Sequence, residues 1–203
     1  MKITRLIVVA VGGQGNLLAS RILGEAALLS GVPVRMSEIH GMAQRGGVVE
    51  SSLVFGDAES TIISDGEADA LVGFEPAETL RAMNRCHRGT TVITNLAPLP
   101  PFTVAIGKGV YPDLAMLQER IGAKVKKLIA FDANALAREA GNVLSVNMVL
   151  LGALLQTGIL PLAAEKVQEA IIARTGKFSA SNIKAFTLGY EAAERTGNTG
   201  KNS

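Results

Sequence analysis

The residues best suited to chemistry stand close together in one predicted loop, HGMAQRGG at 40–47. A histidine such as His40 can exchange a proton near neutral pH, and Arg45 can pair with a carboxylate or a phosphate. Because loops carry functional side chains more often than the elements they connect, His40, Gln44 and Arg45 are the candidate catalytic residues. Gly46 and Gly47 permit positive φ angles and the close approach of another chain. The alternative is a solvated connection between two strands.

A second candidate is the glycine-rich turn VGGQG at 11–15, which joins an apolar run to an amphipathic segment. A dinucleotide-binding turn requires G-x-G-x-x-G and an acidic residue about 20 positions further on. Ala10 replaces the first glycine, and Glu38 is the acidic candidate. The turn therefore either binds phosphate at the helix N-terminus or only lets the chain turn and the helix pack. Its candidate binding residues are Gly12, Gly13, Gln14 and Gly15.

Two further positions carry groups that could react or bind. Glu75 ends a predicted strand immediately before Pro76, where α/β sheets present ligand groups; a carboxylate that stabilises a helix N-terminus is the alternative. Cys86 and His87 are adjacent at the predicted end of a helix. Neighbouring residues there point in different directions, so they are not expected to act as a nucleophile and its base.

The elements that position these residues alternate between strands and helices. Apolar, β-branched runs predict strands at 5–11, 32–38, 48–56, 68–74, 90–96 and 124–133, and helical spacing predicts helices at about 18–29, 76–85, 133–140, 146–157, 162–175 and 180–195. Strands 32–38 and 48–56 are expected to pair antiparallel across the loop. The predicted fold is a three-layer α/β/α domain with a mixed, mostly parallel, Rossmann-like sheet. It spans residues 1–195, and 196–203 is expected to be a disordered tail.

Composition limits the function classes. The chain of 203 residues is 48% hydrophobic with a mean hydropathy of +0.30, which suits a sheet buried on both faces or a surface that expects a partner. Such a surface could also lead to self-association of the chain alone. The net charge of +2 and the lack of a Lys/Arg stripe argue against nucleic acid.

Membrane and metal-cluster functions are also unexpected. The longest apolar stretch, VNMVLLGALL at 146–155, is about half of the roughly 20 residues needed to cross a bilayer. One cysteine, Cys86, excludes an internal disulfide and cannot by itself hold an iron–sulfur cluster. A cytoplasmic protein without a metal site is the expectation.

Four motifs, read together, resemble one family. VGGQG at 11–15, HGMAQRGG at 40–47, GEADALVGFEPAETLR at 66–81 and TNLAPLPP at 94–101 stand in the order found in the gamma-domain family of 2-oxoacid:ferredoxin oxidoreductases. Within it, the chain resembles the beta subunits of indolepyruvate:ferredoxin oxidoreductases. The resemblance covers about residues 4 to 192. Ala10 and Val54 depart from the family pattern, since a glycine and a basic residue are more usual there.

The resemblance implies an oxidative decarboxylation in which an arylpyruvate loses carbon dioxide, coenzyme A takes the acyl group and ferredoxin takes the electrons. In the family, thiamine diphosphate, magnesium and the iron–sulfur clusters belong to a larger subunit, through which ferredoxin is reached. This chain would then bind no cofactor and be inactive alone. Gly46, Gly47 and Glu75 are the expected contacts with that subunit. The alternative is a free-standing Rossmann-like nucleotide-binding oxidoreductase or regulatory domain.

The loop hypothesis makes a direct prediction. Arg45→Ala should lower the activity of the assembled enzyme about tenfold to over a hundredfold, because a charge-assisted hydrogen bond contributes about 1.5–3 kcal/mol. The melting temperature of the isolated chain should hardly change, since a loop arginine adds little to a core. Steady-state kinetics and thermal melting check both parts. Full activity of the variant would instead make the loop an ordinary solvated connection.

Overall fold

The computed structural model of the protein describes residues 1–41, 47–101, 104 and 106–199. Within these residues lies one sheet of six strands: β1 (Thr4–Val11), β2 (Val34–His40), β3 (Val48–Phe55), β4 (Ala68–Gly73), β5 (Cys86–Asn95) and β6 (Lys127–Phe131). The spatial order is β2-β3-β1-β4-β5-β6. β3 is antiparallel to both neighbours, while β1, β4, β5 and β6 pair in parallel. The predicted mixed sheet and the antiparallel β2–β3 pair are thus confirmed.

Helices cover both faces of this sheet, as the three-layer prediction requires. The described helices are α1 (Asn16–Leu29), α2 (Pro76–Arg81), α3 (Leu114–Gly122), α4 (Ala133–Glu139), α5 (Val146–Gln156), α6 (Ala164–Thr175) and α7 (Ser179–Thr199), with short 3-10 turns at Ala82–Arg85 and Gly176–Phe178. One core lies between the sheet and α1, α4, α5, α6 and α7. A smaller core lies under α2, its 3-10 extension and α3. None of the helices in the described ranges has the length and hydropathy of a membrane span.

The alternation of buried side chains along β1 explains why its apolar run is continuous. Leu6, Val8 and Ala10 face the larger core, whereas Ile7 and Val9 face the smaller one. A strand covered by helices on both faces needs apolar residues at every position. The Cβ of Ala10 is therefore part of the core, although the dinucleotide pattern would have glycine there.

Three of the differences between the structure and the sequence-based boundaries concern β5, α3 and the last helix. Cys86 and His87 begin β5 and do not end a helix, because the helical segment stops at Arg85. Helix α3 was not predicted, although Asp113 caps it by accepting a hydrogen bond from the Met116 backbone N–H at 2.9 Å. The last helix extends to Thr199, so the predicted boundary at 195 falls within α7, and residues 200–203 lie outside the described part.

Two glycines allow α5 and α7 to cross in direct contact. A Cβ added to Gly152 would lie far inside the van der Waals radius of the Phe186 carbonyl oxygen, and one added to Gly189 would do the same to the Val149 carbonyl oxygen. Each glycine thus lies directly against the backbone of the opposite helix. Both helices contribute side chains to the larger core.

We expect Gly152→Ala to destabilise the chain by about 3 kcal/mol or more, since overpacking costs about 1–3 kcal/mol even where side chains can move. Here the obstacle is backbone. The matched control is Gly122→Ala at the end of α3, where the added Cβ would meet only Leu128 Cδ2 at 3.7 Å. Urea unfolding should show the control unchanged or more stable by up to about 1 kcal/mol. Equal stability of the two variants would contradict the close crossing.

Candidate functional site

The topology creates one crevice at the carboxyl edge of the sheet, between β1 and β4. After β1 the chain continues through α1 on one face, and after β4 it continues through α2 on the other. Open α/β sheets bind ligands outside the strand ends at such a switch point. Both sequence candidates, the glycine turn and Glu75, follow these two strands directly.

Gln14 occupies this crevice and bridges its two sides. Its Oε1 accepts a hydrogen bond from the Val11 backbone N–H at 2.8 Å, and its Nε2 donates to the Phe74 carbonyl oxygen at 3.3 Å. The Asn95 side chain donates to the same carbonyl at 3.1 Å. A side-chain amide therefore lies where a dinucleotide-binding protein would place its ligand.

The rest of the glycine turn also makes contacts within the chain. The Gly12 backbone N–H donates to the Gly47 carbonyl oxygen at 2.8 Å. Gly15 has φ of +86°, and a Cβ there would lie 2.7 Å from Nδ2 of Asn147, which itself donates to the Gly15 carbonyl oxygen at 3.3 Å. Gly13, with φ of +97°, has open space around its Cα. The turn therefore serves chain packing at three of its four predicted binding residues.

Asn16 fixes the beginning of α1 and was missed by the sequence analysis. Its buried side chain donates from Nδ2 to the carbonyl oxygens of Val49 at 3.2 Å and Val8 at 3.5 Å. Its Oδ1 accepts from the hydroxyls of Ser20 at 3.2 Å and Ser51 at 3.1 Å. One amide thus links β1, β3 and α1. The only sequence signal was an asparagine directly after the glycine turn.

A cleft of about 870 Å³ opens beside this turn. Its lining brings together two predicted regions, namely Gly12, Gly13 and Gly15 from the turn, and His40, Gly41 and Gly47 from the ends of β2 and β3. Arg21 and Arg174 also line it. Arg174 pairs with Glu25, whereas Arg21 has no ion-pair partner among the described residues. Chemically, the cleft combines apolar walls with cationic groups, a combination that suits an anionic ligand with an apolar part.

His40 is the one candidate catalytic side chain that the structure describes. It ends β2 with 59% of its side chain exposed, and its Nε2 lies 3.6 Å from Glu38 Oε2. Gln44, Arg45 and Gly46 lie outside the described residues, so the predictions made for them remain predictions. Gly41 and Gly47 flank that stretch at the carboxyl edge, where the Gly41 N–H donates to the Val48 carbonyl oxygen at 2.8 Å.

Glu75 is only 1% exposed and holds three groups of its own chain. Its Oε2 accepts the Glu78 backbone N–H at 2.9 Å and so caps α2. Its Oε1 accepts the Leu99 N–H at 3.4 Å and a hydrogen bond from the Tyr111 hydroxyl. The helix-capping alternative is therefore present in the structure. The predicted contact of Glu75 with a partner remains a prediction, and the carboxylate has almost no surface left to make it directly.

Neighbouring groups titrate abnormally because they are buried. Burial raises the pKa of the Tyr111 hydroxyl, and the hydrogen bond to Glu75 raises it further. Burial also raises the pKa of the Glu78 carboxyl, an effect that Arg81 opposes and Glu75 reinforces. Tyr111 thus stays protonated and able to donate to Glu75.

Cys86 does not form a nucleophilic centre with His87. Burial raises the pKa of the Cys86 thiol to about 11, so the thiolate required for attack is scarce at neutral pH. Nδ1 of His87 accepts the Gly89 N–H at 2.9 Å. Both residues belong to the first part of β5, where His87 makes a local contact with the backbone.

Comparison with known proteins identifies the family. The model of the pyruvate ferredoxin/flavodoxin oxidoreductase family matches residues 5–192. The chain belongs to this family. It is 44% identical over 197 residues to indolepyruvate oxidoreductase subunit IorB of Pyrococcus horikoshii, which covers 96% of this chain and 98% of that protein. The family resemblance predicted from the four motifs is thereby confirmed.

Solved structures agree with the fold. The gamma subunit of a keto/oxoacid ferredoxin oxidoreductase from Geobacter sulfurreducens superposes with a TM-score of 0.69 at 23% identity, covering 95% of this chain and 99% of that one. A 2-oxoglutarate:ferredoxin oxidoreductase from Magnetococcus marinus superposes with a TM-score of 0.74 at 20% identity, covering 96% of this chain and 32% of that one. The same fold thus occurs as a separate subunit and as part of a longer chain.

The single cysteine limits the metal groups that this chain could hold by itself. Iron–sulfur clusters need several cysteine thiolates, and the sequence has one cysteine. In the described ranges, no three His, Cys, Asp or Glu side chains are grouped as metal ligands.

We predict that NADH does not bind the glycine turn with a dissociation constant below about 1 mM, which corresponds to about 4 kcal/mol of binding free energy. Gln14 fills the crevice, and the Gly12 N–H is already paired. Calorimetric titration of the isolated chain with NADH and NADPH measures this. A micromolar dissociation constant for either would contradict the prediction and favour the free-standing nucleotide-binding alternative.

Proposed function

We propose that this chain is the small subunit of a thiamine diphosphate-dependent indolepyruvate, or arylpyruvate, ferredoxin oxidoreductase of the cytoplasm. In that reaction a 2-oxoacid loses carbon dioxide, its acyl group passes to coenzyme A and the electrons pass to ferredoxin. The observation that carries the proposal is the 44% identity with an indolepyruvate oxidoreductase subunit over nearly the whole of both chains. We assign the thiamine diphosphate, magnesium and iron–sulfur clusters to the larger subunit, through which ferredoxin is also reached.

The distribution of exposed apolar side chains supports a docking role for the carboxyl edge of the sheet. At one corner of this edge, Ile39 and Val48 lie exposed beside the cleft at the ends of β2 and β3. Val143 and Leu144 lie exposed in the turn before α5, the helix whose Asn147 contacts the glycine turn. Clustered exposed apolar residues mark protein interfaces. We call this carboxyl edge the docking edge.

In this arrangement the chain supplies shape and polar groups, and the partner supplies the reactive cofactors. The docking edge carries the cleft, His40 and the flanks of the 42–46 stretch. A larger subunit seated there would have its active site closed by this chain, with His40, Gln44 and Arg45 as the side chains in reach of substrate. The glycine turn keeps the edge rigid, because Gln14 and Asn147 both pin it.

Reconstitution tests the proposal. The chain is mixed with the larger subunit encoded in the same genome, and viologen dye reduction is followed with indolepyruvate and coenzyme A. We expect dye reduction only when both chains are present, and faster with indolepyruvate than with pyruvate or 2-oxoglutarate at equal concentration. Turnover by this chain alone would refute the subunit role. A preference for pyruvate or 2-oxoglutarate would leave that role intact and refute the arylpyruvate substrate.

A further inference from the structure

The segment between β5 and α3 is restrained at both ends by one buried carboxylate. Glu75 Oε1 accepts the N–H of Leu99 near the start of this segment and the hydroxyl of Tyr111 near its end. We call the described parts of this segment, residues 97–101 and 106–113, the strap. Glu75 is positioned for both contacts because its other oxygen caps α2.

The strap is also stiff by composition. It contains Pro98, Pro100, Pro101 and Pro112, four of the seven prolines of the chain. Proline fixes φ and so lowers the conformational entropy that a segment loses when it is ordered. The two hydrogen bonds to Glu75 and the prolines together restrict the conformations open to the strap.

Three of the side chains that the strap presents outward are large and apolar, alongside the exposed Lys108 and Asp113. Val110 is 93% exposed, and Leu99 and Ile106 are also exposed. They lie at the docking edge, since the strap follows the carboxyl end of β5. Exposed apolar side chains on a restrained segment are typical of a surface that binds another protein. Side chains that are ordered before binding lose less conformational entropy when the partner binds.

We infer that the strap is part of the surface that binds the larger subunit, and that Glu75 and Tyr111 are positioning residues that hold it ready for docking. This inference rests on the proposed subunit function. It also gives Glu75, predicted from the sequence as a contact with the partner, an indirect role: the carboxylate is buried and acts through the strap. The larger subunit is the occupant because the family pairs this fold with other domains, either as separate chains or within one chain.

The test compares two matched pairs of variants. Tyr111→Phe removes the hydroxyl that reaches Glu75, and Tyr190→Phe removes the only other tyrosine hydroxyl, on α7. Val110→Ser removes an exposed apolar side chain from the strap, and Leu28→Ser removes one that is 75% exposed at the end of α1. Each variant is titrated into the larger subunit, and dye reduction with indolepyruvate is measured at each concentration.

For Tyr111→Phe and Val110→Ser we expect the concentration of this chain that gives half-maximal turnover to rise about tenfold, as the loss of one such interaction implies. A higher concentration of the variant should restore turnover. Tyr190→Phe and Leu28→Ser should behave as the wild type. Proteolysis between residues 97 and 113 should be faster in Tyr111→Phe alone, while its melting temperature stays within about 2 °C of the wild type.

The outcomes separate the inference from the proposed function. If wild-type chain and larger subunit give no turnover together, the proposed function fails. If they do, and Val110→Ser assembles as the wild type, the strap does not dock and the inference is overturned, even if Tyr111→Phe lowers stability. If Val110→Ser weakens assembly but Tyr111→Phe changes neither assembly nor proteolysis, the positioning role of Tyr111 is overturned.

Discussion

The buried side-chain amide of Asn16 fixes how β3, the antiparallel strand, enters the sheet. β3 runs against both of its neighbours, and Asn16 satisfies carbonyl oxygens of both β1 and β3 while receiving the Ser51 hydroxyl. Leaving such a buried amide without partners would cost about 1–3 kcal/mol, so this side chain favours the arrangement of α1, β1 and β3 that pairs it. Because β3 begins at the carboxyl edge, Gly47 and the glycine turn meet there, joined by the hydrogen bond from the Gly12 N–H to the Gly47 carbonyl oxygen.

A Rossmann-like beginning does not by itself make a nucleotide-binding site. One fold can carry unrelated functions. Only a few side chains distinguish this turn from a dinucleotide-binding turn. Gln14 occupies the crevice, and Gly15 makes room for Asn147. These contacts bring one part of the chain against another at the place where the dinucleotide pattern would put a pyrophosphate. The Rossmann-like architecture is kept, while its crevice holds a side-chain amide of the chain itself.

Most of the fold followed from local patterns, but its long-range polar contacts did not. The continuous apolar run predicted β1, because a strand that is buried on both faces has apolar residues at every position. The short loop between two predicted strands in turn predicted the antiparallel β2–β3 pair. Helix α3 was missed because it is short, follows a proline and buries only Leu117 and Ile121. The polar start of β5 was missed because His87 N–H bonds to Thr90 Oγ1, a contact without an apolar signature.

The candidate site was predictable to the level of segments. The sequence placed the glycine turn and His40 among the functional residues, and the cleft brings them together. Asn16 and Tyr111 could not be found, since their partners lie 33 and 36 residues away, at Val49 and Glu75. No periodicity marks a hydrogen bond across such a separation.

The crossing of α5 and α7 also bears on how such chains can diverge. Gly152 and Gly189 each face a carbonyl oxygen of the opposite helix. A clash with a side chain can be relieved by a smaller residue opposite, but every residue has the same carbonyl. No compensating substitution is therefore available across this crossing. Leucines and valines of the larger core can be substituted one at a time during evolution. Gly152 and Gly189 can be substituted only if the separation between α5 and α7 increases.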